Sequence, residues 1–232
     1  MRFNRYALLM AWVTLLESIS FLVDAVLNGV TREMTDRHTR RFGERLLAVT
    51  QTRLEVFNAD HLDKNCSYVF MSNHQSMMDI PVIFKAVPQS VRMVGKEILF
   101  KVPFFGAAMR GAGIIPIDRK NLSRAKEQLE DAKKRLQEGL SLWISPEGTR
   151  SRAGELLPFK KGGFHVALAL ETPIVPVYIR GAAEVMPADS LSVVTGKTIG
   201  VYFGEPIQTH NKTLPELMIH VRKSILELEK NG

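Results

Sequence analysis

From Arg53 onward, short runs rich in Val, Ile, Phe and Tyr recur between segments of helical character, and this alternation constrains the fold more than any other feature. Residues Arg53–Asn58, Tyr68–Ser72, Val91–Val94, Ile114–Ile117, Leu140–Ser145, Ile174–Ile179 and Lys197–Phe203 read as strands. Between and after them, Asp79–Ala86, Pro103–Met109, Ser123–Glu138, Gly162–Glu171 and Leu214–Lys230 read as helices, several ended by Pro or Gly. Strands and helices at this spacing predict an α/β fold: a mixed, largely parallel sheet flanked by helices. A chain of 232 residues is long enough to bury its core as one such unit.

The polar clusters fall where such a sheet would place a site. His74 follows one strand, Lys96 another, Arg119 another, and Glu147-Gly148-Thr149-Arg150 yet another. In open α/β sheets ligands bind outside the carboxyl ends of parallel strands, so residues far apart in sequence converge there. Antiparallel strands would instead send some of these clusters to the opposite edge.

Ahead of the sheet, Tyr6 to Val30 is dominated by apolar residues, but Glu17 and Asp24 interrupt it. The longest unbroken apolar piece is shorter than the ~20 residues a bilayer span requires. Seven residues apart, the two acids share one face of a helix and leave the other apolar, which describes a helix lying in an interface better than one crossing it. Arg2 and Arg5 imitate the start of a signal peptide, yet no small-residue cleavage site follows. A second helix is expected over Thr31–Thr52, and Arg32, Arg37, Arg40, Arg41, Arg45 and Arg53 punctuate it and its end. Cations beside an apolar helix attract anionic headgroups by roughly 1 kcal/mol each. The plainer alternative is a helix packed in the core or at a dimer contact, with the arginines solvated. The sequence thus divides into an anchoring helical motif at 1–52 and an α/β domain at 53–232.

The formal net charge of +7 and pI near 9.6 call for an anionic partner, nucleic acid or membrane. Clustering of arginines beside the apolar helix, with no nucleic-acid motif, favours the membrane. The lone Cys66 excludes an intrachain disulfide and fits a reducing compartment. The histidines show no metal-ligand spacing, and no metal is expected. Gly111-Ala-Gly113 lacks the third glycine of a dinucleotide loop, since position 116 is Pro, and no Walker-type Gly-Lys-Ser/Thr occurs.

His74 and Asp79 are the candidate acid/base pair. Five apart, they meet if His74 sits in the loop and Asp79 in the first helical turn. The carboxylate would then fix the imidazole tautomer and leave its other nitrogen as a base. The alternative is that Ser76-Met-Met-Asp79 merely starts a helix. In Glu147-Gly148-Thr149-Arg150, glycine permits close backbone approach and the arginine fork suits a phosphate or carboxylate. A charged surface turn would look the same. The basic group Lys96, Lys101, Arg110, Arg119 and Lys120 has the same two readings.

Taken together, these residues resemble the glycerolipid acyltransferases, the group that contains bacterial 1-acylglycerol-3-phosphate acyltransferase. Asn73-His74-Gln75-Ser76-Met77-Met78-Asp79 resembles their His-x4-Asp motif. Gly95-Lys96 through Pro103, Gly106, Gly113 and Pro116-Ile117-Asp118-Arg119 resembles their second block, Pro146-Glu147-Gly148-Thr149-Arg150 the third, and Ile174-Val-Pro-Val177 the fourth. The blocks stand in the family's order. Ser145 departs from the Phe that many members carry before Pro-Glu-Gly-Thr-Arg.

The resemblance implies transfer of a fatty acyl group from coenzyme A or acyl carrier protein to the 2-hydroxyl of lysophosphatidic acid, with no cofactor beyond that co-substrate. It implies His74 as general base, Asp79 as its orienter, and Lys96, Arg150 and Arg119 as phosphate-binding cations, with Glu147, Gly148 and Thr149 shaping the acceptor site. It also implies a peripheral enzyme on the cytoplasmic face of a bacterial inner membrane. Other acceptors stay open within the family: glycerol-3-phosphate, another lysophospholipid or a lyso-ornithine lipid. A non-catalytic membrane-surface binder is the alternative from another class.

Overall fold

The computed structural model describes residues 4–117, 122–152 and 154–232. Two helices, α1 (Arg5–Asn28) and α2 (Arg32–Val49), precede the sheet. Each is started by a side chain that accepts a backbone N–H: Asn4 from Ala7 and Thr31 from Met34. The strands follow as β1 (Arg53–Phe57), β2 (Val69–Ser72), β3 (Val91–Lys96), β4 (Ile115–Ile117), β5 (Ser141–Ile144), β6 (Ile174–Arg180) and β7 (Thr198–Phe203). Interleaved with them are α3 (Asp79–Ala86), a 3-10 turn at Glu97–Lys101, α4 (Phe105–Gly111), α5 (Leu122–Gln137), α6 (Gly162–Ala169), the short α7 (Ala182–Val185) and the closing α8 (Leu214–Asn231). The sequence reading misses the 3-10 turn and α7, which are too short to show a period.

The sheet order is β1-β7-β6-β2-β5-β3-β4. Strands β6, β2, β5, β3 and β4 are mutually parallel, whereas β7 runs antiparallel to β6 and parallel to β1. The expected mixed, largely parallel sheet is therefore present. The carboxyl ends of β2, β5 and β3, which precede His74, Glu147 and the 3-10 turn, share one edge.

Helices cover both faces. On one side Phe70, Val82, Ile83, Trp143 and Phe203 form a buried cluster under α3 and α2, and on the other Val69, Leu142, Phe164, Leu217 and Val221 pack under α6 and α8. The central strand β2 is buried at every position, as a strand sandwiched between helices must be.

Glu17 and Asp24 do share a face of α1, and that face is turned inward. Glu17 is buried and binds Arg41 at 2.9 Å and also Arg45 of α2, while Asp24 binds Arg37 and His38, each at 2.9 Å. The apolar residues Leu8, Trp12, Ile19, Val23, Val26, Leu27 and Val30 are left exposed. The arginines expected at headgroups are engaged within the protein: besides these three, Arg32 donates to the Gly139 carbonyl, Arg40 to that of Pro88, and Arg53 pairs with Glu55. Sequence shows their charge but not these partners, all but one of which come from another element or loop.

By length and composition α1 is able to cross a membrane. It is nevertheless seated on the protein, its Phe21 ring packing against Ala108, Ala112 and His38. A methyl group on Gly111 would stand 2.7 Å from that ring, so α1 lies in a slot that only glycine leaves open.

Candidate active site

β2 ends in Ser72, and the chain then turns through Asn73 and His74 into α3. The Asn73 amide takes the place of a further ladder rung, donating to the Ile179 carbonyl at 2.9 Å and accepting its N–H at 2.8 Å. Ser72 donates to the Asn73 carbonyl and accepts the Trp143 indole N–H at 2.9 Å. The turn that carries His74 is thereby fixed to β6 on one side and β5 on the other.

Asp79 opens α3 and is 1% exposed. Its Oδ2 accepts His74 Nδ1–H at 2.7 Å and the backbone N–H groups of Gln75 and Ser76 at 2.9 and 3.0 Å. Two of these donors are main-chain N–H groups, so the oxygen is an acceptor and His74 carries its proton on Nδ1. One carboxylate therefore holds both the turn and the imidazole. His74 Nε2 has no hydrogen-bond partner among the described residues, and the side chain is 20% exposed. The ring meets that of Trp143 edge to face, with centroids 6.0 Å apart. The pair thus leaves one imidazole nitrogen open beside a carboxylate that holds the other.

Ser76 is occupied elsewhere. Its hydroxyl donates to the Met186 carbonyl at 2.7 Å and accepts the Met78 N–H at 3.0 Å.

Glu147 takes a different place from the one expected. Instead of facing an acceptor it is 1% exposed, with Oε1 accepting the His74 N–H and Oε2 the Leu157 N–H, both at 2.8 Å. Burial pushes its carboxyl above the usual glutamate range, and those two N–H groups pull it partly back. A carboxylate spent on two amides from separate segments positions a loop. The cue in sequence is slight: an acid set between a buried strand and the apolar Leu156-Leu157.

Gly148 has φ +72°, a left-handed turn that suits glycine, and its N–H closes onto the Ser145 carbonyl at 3.1 Å. That donor is thus committed within the turn. The N–H groups of Thr149 and Arg150 have no acceptor among the described residues. The Ser151 N–H binds the His74 carbonyl at 2.7 Å, so the Thr149-Arg150 segment is tied directly to the dyad turn. Thr149 is exposed and Arg150 half-buried. Lys96 is exposed at the carboxyl end of β3, two strands from β2 with β5 between. Arg119 lies outside the described residues. No cluster of three His, Cys, Asp or Glu able to hold a metal occurs among the described residues.

The acyltransferase family pattern matches residues 53–180, more than half of the chain and all of this site. The chain belongs to the acyltransferase family. Among relatives, 1-acyl-sn-glycerol-3-phosphate acyltransferase alpha of Mus musculus is 32% identical over 180 residues, 76% of this chain and 63% of that protein. The Haemophilus influenzae 1-acyl-sn-glycerol-3-phosphate acyltransferase is 40% identical over 110 residues, 47% of this chain and 46% of that protein. A chloroplastic relative from Brassica napus, BAT2, is 34% identical over 150 residues, 65% of this chain and 43% of that protein. In each the match covers less than two thirds of the relative's length. The crystal structure of the 1-acyl-sn-glycerophosphate (LPA) acyltransferase PlsC from Thermotoga maritima has the same fold, with a TM-score of 0.83 at 25% identity over 97% of this chain and 92% of that one. The acyltransferase fold thus extends over the helical pair as well as the sheet.

Proposed function

We propose that this acyltransferase moves a fatty acyl group from an acyl thioester, of coenzyme A or acyl carrier protein, to the sn-2 hydroxyl of lysophosphatidic acid, giving phosphatidic acid. The observation that carries the reading is the His74 imidazole, oriented by Asp79 through Nδ1 and open at Nε2. As the acceptor oxygen attacks the thioester carbonyl, its proton passes to Nε2. The Asp79 carboxylate stabilises the imidazolium so formed. Collapse of the tetrahedral intermediate breaks the C–S bond, and the imidazolium returns the proton to the departing thiolate. The N–H groups of Thr149 and Arg150, which have no acceptor among the described residues, serve the developing oxyanion or the acceptor. Arg150, Lys96 and Arg119 supply cations for the acceptor phosphate. Glu147 acts behind them by holding His74, Leu157 and the segment between in register.

The names of the relatives support lysophosphatidic acid as acceptor. The exposed apolar face of α1 supports a peripheral seat on an anionic membrane surface, the protein lying in one leaflet where its amphiphilic substrates reside. Matched acceptors with and without the phosphate, turned over by wild type, Arg150→Ala and Lys96→Ala, test the assignment. Expected is a rise in KM of about tenfold or more for the phosphorylated acceptor in either variant. Equal turnover of both acceptors by wild type would remove the phosphate from the reading.

A further inference from the structure

The stretch between β3 and α4 exposes apolar side chains to which the mechanism above gives no role. Within Lys96–Phe104 only the Phe100 side chain is buried, while Ile98, Val102 and Phe104 are 62%, 45% and 53% exposed. Single exposed hydrophobic residues are ordinary, but three within one short turn form a patch that marks an interaction site. The turn is also fixed. Arg110 of α4 donates to the Phe100 carbonyl at 2.8 Å, and the amides of Val102 and Gly106 bind the carbonyls of Leu99 and Val102. Phe104 has φ +58°, a conformation that bulky residues rarely hold, and it is exposed in that state.

We propose that Lys96–Phe104 is a second membrane-inserting element, whose Ile98, Val102 and Phe104 enter the apolar layer of an anionic leaflet while Lys101 meets its headgroups. Two further observations select a lipid surface as the occupant. The turn leads directly into α4, on which α1 is seated through Phe21, so both apolar surfaces are carried by one helix. The sequence from Lys96 to Arg110 holds Lys96, Lys101 and Arg110 against the single acid Glu97, and Lys101 is exposed with no side-chain partner among the described residues. Apolar side chains interspersed with cations complement a leaflet of anionic lipid.

The turn also leaves the carboxyl end of β3, the edge of the sheet that carries His74. Insertion of this turn together with α1 would set that edge down on the bilayer from two points, and a lipid acceptor would reach Nε2 without leaving the interface. The inference rests on the membrane-surface reading of α1, and its test separates the two.

In full-length protein with Cys66→Ser, an environment-sensitive fluorophore is placed at Ile98→Cys or, as the α1 control, at Val26→Cys. Each is mixed with phosphatidylglycerol–phosphatidylcholine vesicles with or without doxyl-labelled acyl chains. Expected is a blue shift and doxyl quenching at both positions. In unlabelled protein, the combined Ile98→Ser, Val102→Ser and Phe104→Ser substitutions should lower the vesicle partition constant by about tenfold or more. Quenching at Val26 with none at Ile98 overturns the second element and leaves the α1 anchor standing. Absence of quenching at both, with no co-sedimentation, removes the membrane reading and this inference with it. A dimer by light scattering in vesicle-free buffer, with the Ile98 label already shielded, would make the turn a self-association surface and overturn the proposal.

Discussion

Among the described residues two histidine–aspartate pairs have nearly equal geometry, and only one of them leaves an imidazole nitrogen open. His74 Nδ1 stands 2.7 Å from Asp79, and His38 Nε2 stands 2.9 Å from Asp24. They differ at the second nitrogen. His38 Nδ1 accepts from the Arg41 guanidinium at 3.0 Å, and the ring is 5% exposed between α1 and α2. His74 Nε2 is open. A carboxylate beside an imidazole therefore does not define a base. What defines it is an unclaimed lone pair that a substrate proton can reach, and at His38 an arginine has claimed it.

Removing each ring in turn tests that contrast most severely. His74→Ala is expected to lower acyl transfer by about a thousandfold or more with the fold intact, whereas His38→Ala in the same detergent assay should lose less than about threefold. His38→Ala should instead cost about 1–3 kcal/mol of stability, because it strips a buried partner from Asp24 and Arg41, and thermal unfolding would show it as a drop of several degrees. Comparable losses of activity in the two variants would erase the distinction.

The carboxylates give the next largest effect. Asp79→Asn keeps the shape but replaces an acceptor facing three N–H donors with an amide, and kcat is expected to fall by about a hundredfold or more with little change in KM. Asp24→Asn should leave kcat within about twofold. If Asp24→Asn also abolished turnover, α1 would be part of the chemistry rather than of its seating.

The smallest effect is on acid stability. Hydrogen bonds from His38, Asn28 and Arg37, with the charge of Arg37, hold the Asp24 carboxyl well below the usual aspartate range. A depressed folded pKa adds stability that is present above the unfolded value, near 4, and is lost as pH falls below it toward the folded value. Wild type should therefore lose stability over that acid window more steeply than Asp24→Asn, measured by thermal unfolding as a function of pH. Parallel curves would show that the Asp24 bonds do not hold α1 to α2.

The sheet was legible because β-branched and aromatic runs recur at the spacing of βα units, and because parallel β2, β5 and β3 deliver their loops to one edge. His74 and Asp79 were legible because one turn brings them together. Glu147 was misplaced because its partners are main-chain amides at His74 and Leu157, which leave no mark on residue type. The arginines of α2 were read by their charge alone, and charge does not reveal that Glu17 and Asp24 from the preceding helix have already claimed three of them. His38 escaped notice for the same reason, its aspartate lying across a helical hairpin.

The inward-facing Glu17 has one more consequence. Held by Arg41 and Arg45, it couples α1 to the body of the protein, and moving α1 across the hydrocarbon would separate charges at great desolvation cost. On the proposed peripheral seat, a helix lying flat would match its hydrophobic length to nothing across the bilayer. The height of His74 above the acyl chains would then be set by protein packing and would stay the same in thin and thick membranes.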